Sequence, residues 1–208
     1  MAIEAFLFDL DGTLVDSSRD LAAAVNRLRR HLDLPELPAA TVLGYVGDGA
    51  TNLLRRALPA GMFNQRILQQ FMDIYAADIC VYSYIYPGVE NFLQRHYHKP
   101  LAVVSNKPLR LAEALLEALK LRHYFTVVVG GDSLPHKKPH PAPLLYAADT
   151  INVVAGNCVM IGDHHTDLRG AAAAGCPSCF CRYGFGVSDG VAATWQVDSA
   201  DELEKLFP

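Results

Sequence analysis

Phe6-Leu7-Phe8-Asp9-Leu10-Asp11-Gly12-Thr13-Leu14-Val15-Asp16-Ser17 is the stretch that decides the fold. The run from Ala2 to Leu10 is almost continuously apolar, as in a strand buried on both faces of a parallel sheet. Two carboxylates, Asp9 and Asp11, sit at its C-terminal end beside a glycine. Ligand sites of open α/β sheets lie at the C-terminal ends of strands, so Asp9 and Asp11 can share one site. Taken alone, the same four residues read as a turn, because Asp and Gly are common turn residues.

Working outward, Leu101–Val104, Thr126–Gly130, Cys158–Ile161 and Ser178–Cys181 read as further buried strands. Helical patterns alternate with them. Leu111, Leu115 and Leu119 repeat at four-residue spacing, Pro141 opens a helix toward Tyr146, and Ala171–Ala174 ends at Gly175, a C-cap residue type. This alternation predicts an α/β fold: a Rossmann-like, three-layer core with a mainly parallel sheet. The stretch 16–84 breaks the alternation. Ser17 or Ser18 can cap a helix that carries Asp20 in its first turn, with Leu21, Val25, Leu28 and Leu32 forming one stripe before Pro35. Ile67, Phe71 and Ile74 mark a later helix, with no convincing strand between. The expected organisation is a core of 1–15 and 85–208, with an inserted all-helical cap over 16–84 hinged near Val15 and Ile85.

Each later strand end carries its own cluster: Ser105-Asn106-Lys107, then Lys138 in Lys137-Lys138-Pro139-His140-Pro141, then Gly162-Asp163-His164-His165-Thr166-Asp167. A hydroxyl and an amide at a helix start can grip a phosphate. Singly, these are a helix cap, a solvated Lys and an acidic helix start. Four clusters at successive strand ends are not a run of coincidental turns.

The composition sets outer bounds. The chain has 208 residues, 51% hydrophobic and 19% charged, so it has ample core and no disorder signature. Eighteen Lys plus Arg face 22 Asp plus Glu, a net charge of -4 without the basic footprint of a nucleic-acid binder. An anionic ligand must therefore be held by a few local cations. No uncharged apolar run approaches the ~18 residues of a membrane span. The N-terminal residues lack the basic leader of a signal peptide. Five Cys without a leader point to reduced thiols and a cytoplasmic location.

With these motifs in hand, the sequence resembles the haloacid dehalogenase-like (HAD) hydrolases, and within them the phosphoglycolate phosphatase group. Residues 6–17 match the first motif, Ser105-Asn106-Lys107 the second, Lys138-Pro139-His140-Pro141 the third, and Gly162-Asp163 with Asp167 the fourth. The subgroup rests on Lys138-Pro139-His140-Pro141-Ala142-Pro143-Leu144, on Gly44-Tyr45-Val46-Gly47-Asp48-Gly49-Ala50, and on Arg182-Tyr183-Gly184-Phe185-Gly186. The resemblance implies a Mg²⁺-dependent phosphatase acting on a small phosphorylated metabolite, 2-phosphoglycolate being expected, with no nucleic-acid or membrane partner, as a monomer or homodimer. It implies Asp9 as nucleophile, forming an aspartyl-phosphate. Asp11 would protonate the leaving alkoxide and then activate water. Asp9, the main-chain carbonyl of Asp11 and Asp163 would hold Mg²⁺, with Asp167 orienting them. Ser105, Asn106 and Lys138 would bind the phosphoryl oxygens.

Asp11 argues against a dehalogenase, which needs no leaving-group acid. A phosphomutase or a sugar-phosphate phosphatase of the same family stays open, as does a catalytically silent regulatory relative. Because the core motifs contact only the phosphoryl group, the cap is expected to select the substrate, with Gly47, Asp48 and Gly49 facing the core. A helix–helix turn is the equal alternative for that loop. Arg55 and Arg56 could supply a cation there, although surface roles suit both better. His164 stands where the family commonly has Ser. With His165, Asp163 and Asp167 it could suggest zinc, but a zinc-only site would leave Asp9 and Asp11 unexplained. Both His are expected at a partly exposed helix start. Cys176, Cys179 and Cys181 read as buried thiols rather than a metal knuckle, the last two on one strand face.

Overall fold

The computed structural model describes residues 2–208. Its strands are β1 (Ala5–Phe8), β2 (Val15–Asp16), β3 (Tyr84–Ile85), β4 (Leu101–Val104), β5 (Val127–Val129), β6 (Cys158–Gly162), β7 (Ser178–Cys181) and β8 (Trp195–Val197). Six of them form one sheet in the order β5-β4-β1-β6-β7-β8, and every pairing in it is parallel. The apolar runs read from sequence thus lie side by side, with Phe6 opposite both Leu101 and Val159. β1 and β6 are central, which brings Asp9 and Asp163 to neighbouring strand ends.

The helices are α1 (Ser18–His31), α2 (Ala39–Leu43), α3 (Ala50–Ala57), α4 (Gln65–Ala77), α5 (Val89–Arg95), α6 (Leu109–Ala118), α7 (Ala142–Thr150), α8 (His165–Ala174) and α9 (Asp201–Leu206). Successive residues of a strand point to opposite faces, and both faces of β1 are dry. Phe6 and Phe8 pack with Phe92 of α5, Leu115 of α6 and Leu203 of α9. Ala5 and Leu7 pack with Leu144 of α7 and Ala171 of α8. The result is the three-layer arrangement the alternation predicts. Gly175 ends α8 at φ 68°, the left-handed cap expected of it. Cys179 and Cys181 share one buried cluster, and burial pushes the Cys179 thiol up to about 12.

Between β2 and β3 the chain builds α1 to α4, which bury a cluster of their own: Leu21, Val25 and Leu28 of α1 against Leu53, Leu54, Ile67 and Phe71. Leu111, from α6 of the core, joins it. The crossing points near Val15 and Ile85 form a two-stranded antiparallel ribbon, Val15 opposite Ile85 and Asp16 opposite Tyr84. The backbone groups of the two crossing segments pair with each other, and two-residue strands are too short to leave a periodicity. Ser17 stands at the N-cap of α1 but makes no capping bond; its hydroxyl donates to Asp11 Oδ1 at 2.5 Å instead. Asp20, read as a first-turn dipole partner, is buried and accepts from the backbone N–H groups of Val81, Tyr82 and Ser83 and from the Ser83 hydroxyl. It pins the end of the insertion to its beginning.

Candidate active site

Asp9 lies one residue past β1, 7% exposed, its N–H donating to Ile161 O at 2.9 Å. Across from it, the ammonium of Lys138 sits 3.1 Å from Asp9 Oδ1 and 2.6 Å from Asp167 Oδ1, and donates to Val104 O. Burial pushes the Asp9 carboxyl above the usual carboxylate range, against the pull of Lys138. Burial works against the Lys138 charge, yet Asp167 and Asp9 hold its pKa above the ordinary value. Asp167 Oδ2 accepts from the backbone N–H of His164 at 3.0 Å, so this carboxylate is taken up in holding Lys138 and the start of α8.

Asp163, at the end of β6, accepts from Thr13 Oγ1 at 3.3 Å and from Gly186 N–H at 2.7 Å. Burial, then the Asp9 and Asp167 carboxylates, push it well above the usual range. A Cβ at Gly12, which has φ 86°, or at Gly184 would run into the Asp163 carboxylate. Glycine there lets the motif-one loop and the Gly184–Gly186 loop close on it.

Asp9, Asp163 and Asp167 offer oxygens within 4.8 Å of one another, all buried. Asp9 Oδ1 and Asp167 Oδ1 both face the single Lys138 ammonium. Three buried carboxylates around one ammonium form an all-oxygen, acid-rich cluster that fits a hard divalent cation. A second group, Asp48, His164 and His165, is equally close-set. There His164 Nδ1 already faces Thr166 Oγ1 at 3.0 Å and the Asp48 carboxylate bonds Arg56.

The motif-two residues divide their work. The Ser105 hydroxyl accepts from the backbone N–H of Lys107 at 3.3 Å and its proton is turned to the Asp9 carboxylate. The Asn106 amide donates to Gly47 O and Lys138 O, both at 2.9 Å, so it ties the Gly47 loop to the Lys138 loop. Lys107, to which the sequence reading gave no role, donates to Asp11 Oδ1 at 2.9 Å, to Asp11 Oδ2 at 3.1 Å and to the hydroxyl of Tyr75 on α4 at 2.8 Å. Its presence in the Ser105-Asn106-Lys107 trio was the available signal. Tyr75 had only its place four residues after Phe71.

Gly47 and Gly49, at φ 112° and 86°, carry the loop between α2 and α3 onto the core. Gly49 also stands at the N-cap of α3. A Cβ at Gly47 would strike the imidazole of His164. His164 is therefore buried, 7% exposed, rather than part of an exposed helix start, because the Gly47 loop lies on its ring. Burial, then the neighbouring His165, lower its pKa to about 4. Its backbone N–H and ring cap α8 together with Asp167. Asp48 meets no opening: its carboxylate bonds Arg56, and its carbonyl accepts from Lys137. Arg56 also donates to Tyr45 O, and Arg55 stacks on Phe63 at 5.1 Å, so neither arginine turns inward.

Between the helices and the core lies a cavity of about 40 Å³. Asp9, Asp11 and Ser105 line one side, and Leu21, Val46 and Phe71 the other. No described helix is long and apolar enough to cross a membrane.

Comparison with known proteins agrees with this geometry. The chain is 38% identical to the phosphoglycolate phosphatase of Chromobacterium violaceum, over 99% of this chain and 96% of that protein. It is 40% identical to the plasmid-borne phosphoglycolate phosphatase of Cupriavidus necator, over 97% and 90%. The crystal structure of a predicted phosphoglycolate phosphatase from Haemophilus somnus superposes with a TM-score of 0.91 at 30% identity, over 99% and 98%. Residues 6–181 match the family model for haloacid dehalogenase-like hydrolases, so the chain belongs to this family, and with these near full-length relatives it is a phosphatase of it.

Proposed function

We propose that the enzyme hydrolyses 2-phosphoglycolate through an aspartyl-phosphate on Asp9, with Mg²⁺ as its metal. The observation that carries the mechanism is the buried Asp9 carboxylate just past the end of β1, with Oδ1 3.1 Å from Lys138 Nζ. Asp9 forms the bond to phosphorus while the bond to the glycolate oxygen breaks, and Asp11 gives that oxygen its proton. Water then attacks phosphorus, Asp11 takes the water proton, and Asp9 is released with inorganic phosphate. Lys138 faces the charge that develops on the phosphoryl oxygens, and the Ser105 hydroxyl beside Asp9 would turn its proton to the same oxygens. Asn106 acts by holding Lys138 and the Gly47 loop. Asp9, the Asp11 carbonyl and Asp163 would hold Mg²⁺, which when bound offsets the repulsion between carboxylate and phosphate.

The segment 16–84 is the cap domain in this reading, and its small cavity suits a leaving group of a few heavy atoms. The near full-length likeness to proteins named phosphoglycolate phosphatase supports the substrate. The test is a panel of phosphate esters compared by kcat/KM with Mg²⁺, beside Asp9→Asn. The expected result is a preference for 2-phosphoglycolate and background turnover in the folded variant. Wild-type-like turnover in Asp9→Asn overturns the covalent mechanism, and a flat panel overturns the substrate.

A further inference from the structure

We propose that Lys107 and Tyr75 together form a carboxylate-binding subsite at the cap–core seam, which reads the acidic end of the leaving group. The inference rests on the proposed 2-phosphoglycolate reading and adds the residues that would recognise that substrate's second charge.

The argument begins with the cations. Lys107 is the one cation among the residues lining the cavity that holds Asp9. Lys138 is committed to Asp9, Asp167 and Val104 O. The basic residues of the insertion nearest the loop point elsewhere, Arg56 to Asp48 and Tyr45 O, Arg55 to Phe63. Arg29 is spent on the carbonyls of Pro35 and Ala57. With Asp9 and Asp11 also lining the cavity, a bare apolar pocket would repel a second anion. Lys107 is itself paired with Asp11, at 2.9 and 3.1 Å, so a substrate carboxylate in this cavity would share its ammonium with Asp11.

Lys107 does not stand alone. Its N–H donates to the Tyr75 hydroxyl, which makes Tyr75 an acceptor and leaves the phenolic proton without an acceptor among the described residues. Tyr75 is 1% exposed, and burial pushes its pKa up to about 12, so it keeps that proton. A buried hydroxyl with an unused proton beside a buried ammonium is a two-point donor for a carboxylate. Burying such a donor unsatisfied is unfavourable, which is the physical reason to expect an acceptor there. Phe71, Leu53 and Leu111 form the apolar part of the same cavity. Because Tyr75 belongs to α4 and Lys107 follows β4, the subsite is complete only while the cap rests on the core.

The test compares 2-phosphoglycolate with 2-hydroxyethyl phosphate, which replaces the carboxylate by an alcohol and keeps an alkoxide leaving group. Tyr75→Phe and Lys107→Met are each measured on both esters, with thermal unfolding as the check on folding. A hydrogen bond to a charged group is worth ~10-fold or more. The expected outcome is a KM for 2-phosphoglycolate raised by ~10-fold in Tyr75→Phe, with a much smaller change for the alcohol. Lys107→Met should abolish the preference for the acid. If both esters lose rate alike in both variants, with KM unmoved, the pair only positions Asp11 and the subsite is rejected. If the wild type prefers 2-phosphoglycolate and the variants keep the preference, the subsite alone fails. If the wild type shows no preference, the substrate reading fails and takes this inference with it.

Discussion

Lys138 carries more of the site than any other side chain, because one buried ammonium answers two buried carboxylates. Its side chain is 1% exposed and the Asp167 side chain 0%. Removing one partner of such a group leaves charge uncompensated in a low dielectric, which costs about 3–5 kcal/mol. Lys138→Ala should therefore lose stability by that order in urea unfolding, and turnover by at least ~10²-fold. A loss of turnover at unchanged stability would mean that Lys138 serves catalysis without holding the carboxylates. His96 gives a second prediction. His96 is 1% exposed, and its ring sits 4.4 Å from Phe92 and 5.0 Å from Phe6. Burial lowers its pKa below the ordinary 6.5. The folded state then binds this proton less readily than the unfolded chain, so stability is whole above pH 6.5 and declines as the pH falls below it. His96→Phe should flatten that decline, read as Tm against pH between 7 and 5. An unchanged slope would place the acid sensitivity elsewhere.

At the scale of elements, the contact between the α2–α3 loop and the start of α8 is the most sensitive joint. Gly47 has φ 112°, where an L side chain is strained, and a Cβ there also meets the His164 ring. Strain of this kind is of order 1–3 kcal/mol. If the loop covers the leaving group, as proposed, Gly47→Ala should lower kcat/KM for the preferred ester more than for 4-nitrophenyl phosphate. Adding His164→Ser removes the ring while leaving the φ strain. The double variant should recover part of the loss. Equal losses on every substrate, with no recovery, would mean that the loop does not read the leaving group.

At the scale of the whole molecule, the sheet ends gather Asp9, Asp163 and Asp167 around a single Lys138, an excess of negative charge that folding must tolerate. A divalent cation that binds the folded state alone should offset it. At a hundredfold excess over Kd such binding adds about 2.7 kcal/mol. Mg²⁺ should therefore raise Tm in a concentration-dependent way, EDTA should reverse the rise and silence turnover, and Asp163→Asn should abolish the shift. A Tm indifferent to Mg²⁺ at concentrations that restore activity would argue against this cluster as the metal site.

Much of this architecture was legible in the sequence. Buried parallel strands announce themselves as unbroken apolar runs, so the ends of β1, β4 and β6 could be read, with the groups attached to them: Asp9 and Asp11, Ser105 and Asn106, Asp163. The stripe of α1 and the Gly175 cap followed from helical spacing. These features are local, set by burial repeated along one element. What only the tertiary structure decided involves residues far apart in the chain. Lys107 meets Tyr75 across 32 positions and Asp11 across 96. His164 is buried because a loop 117 residues earlier comes to rest on its ring, and Asp20 is spent on a turn 61 to 63 residues later. The β2–β3 ribbon is two residues wide on each side, too short to leave a pattern. No periodicity records such meetings, because they depend on how separately formed elements pack, and at this seam that packing brings a motif lysine onto Asp11 and Tyr75.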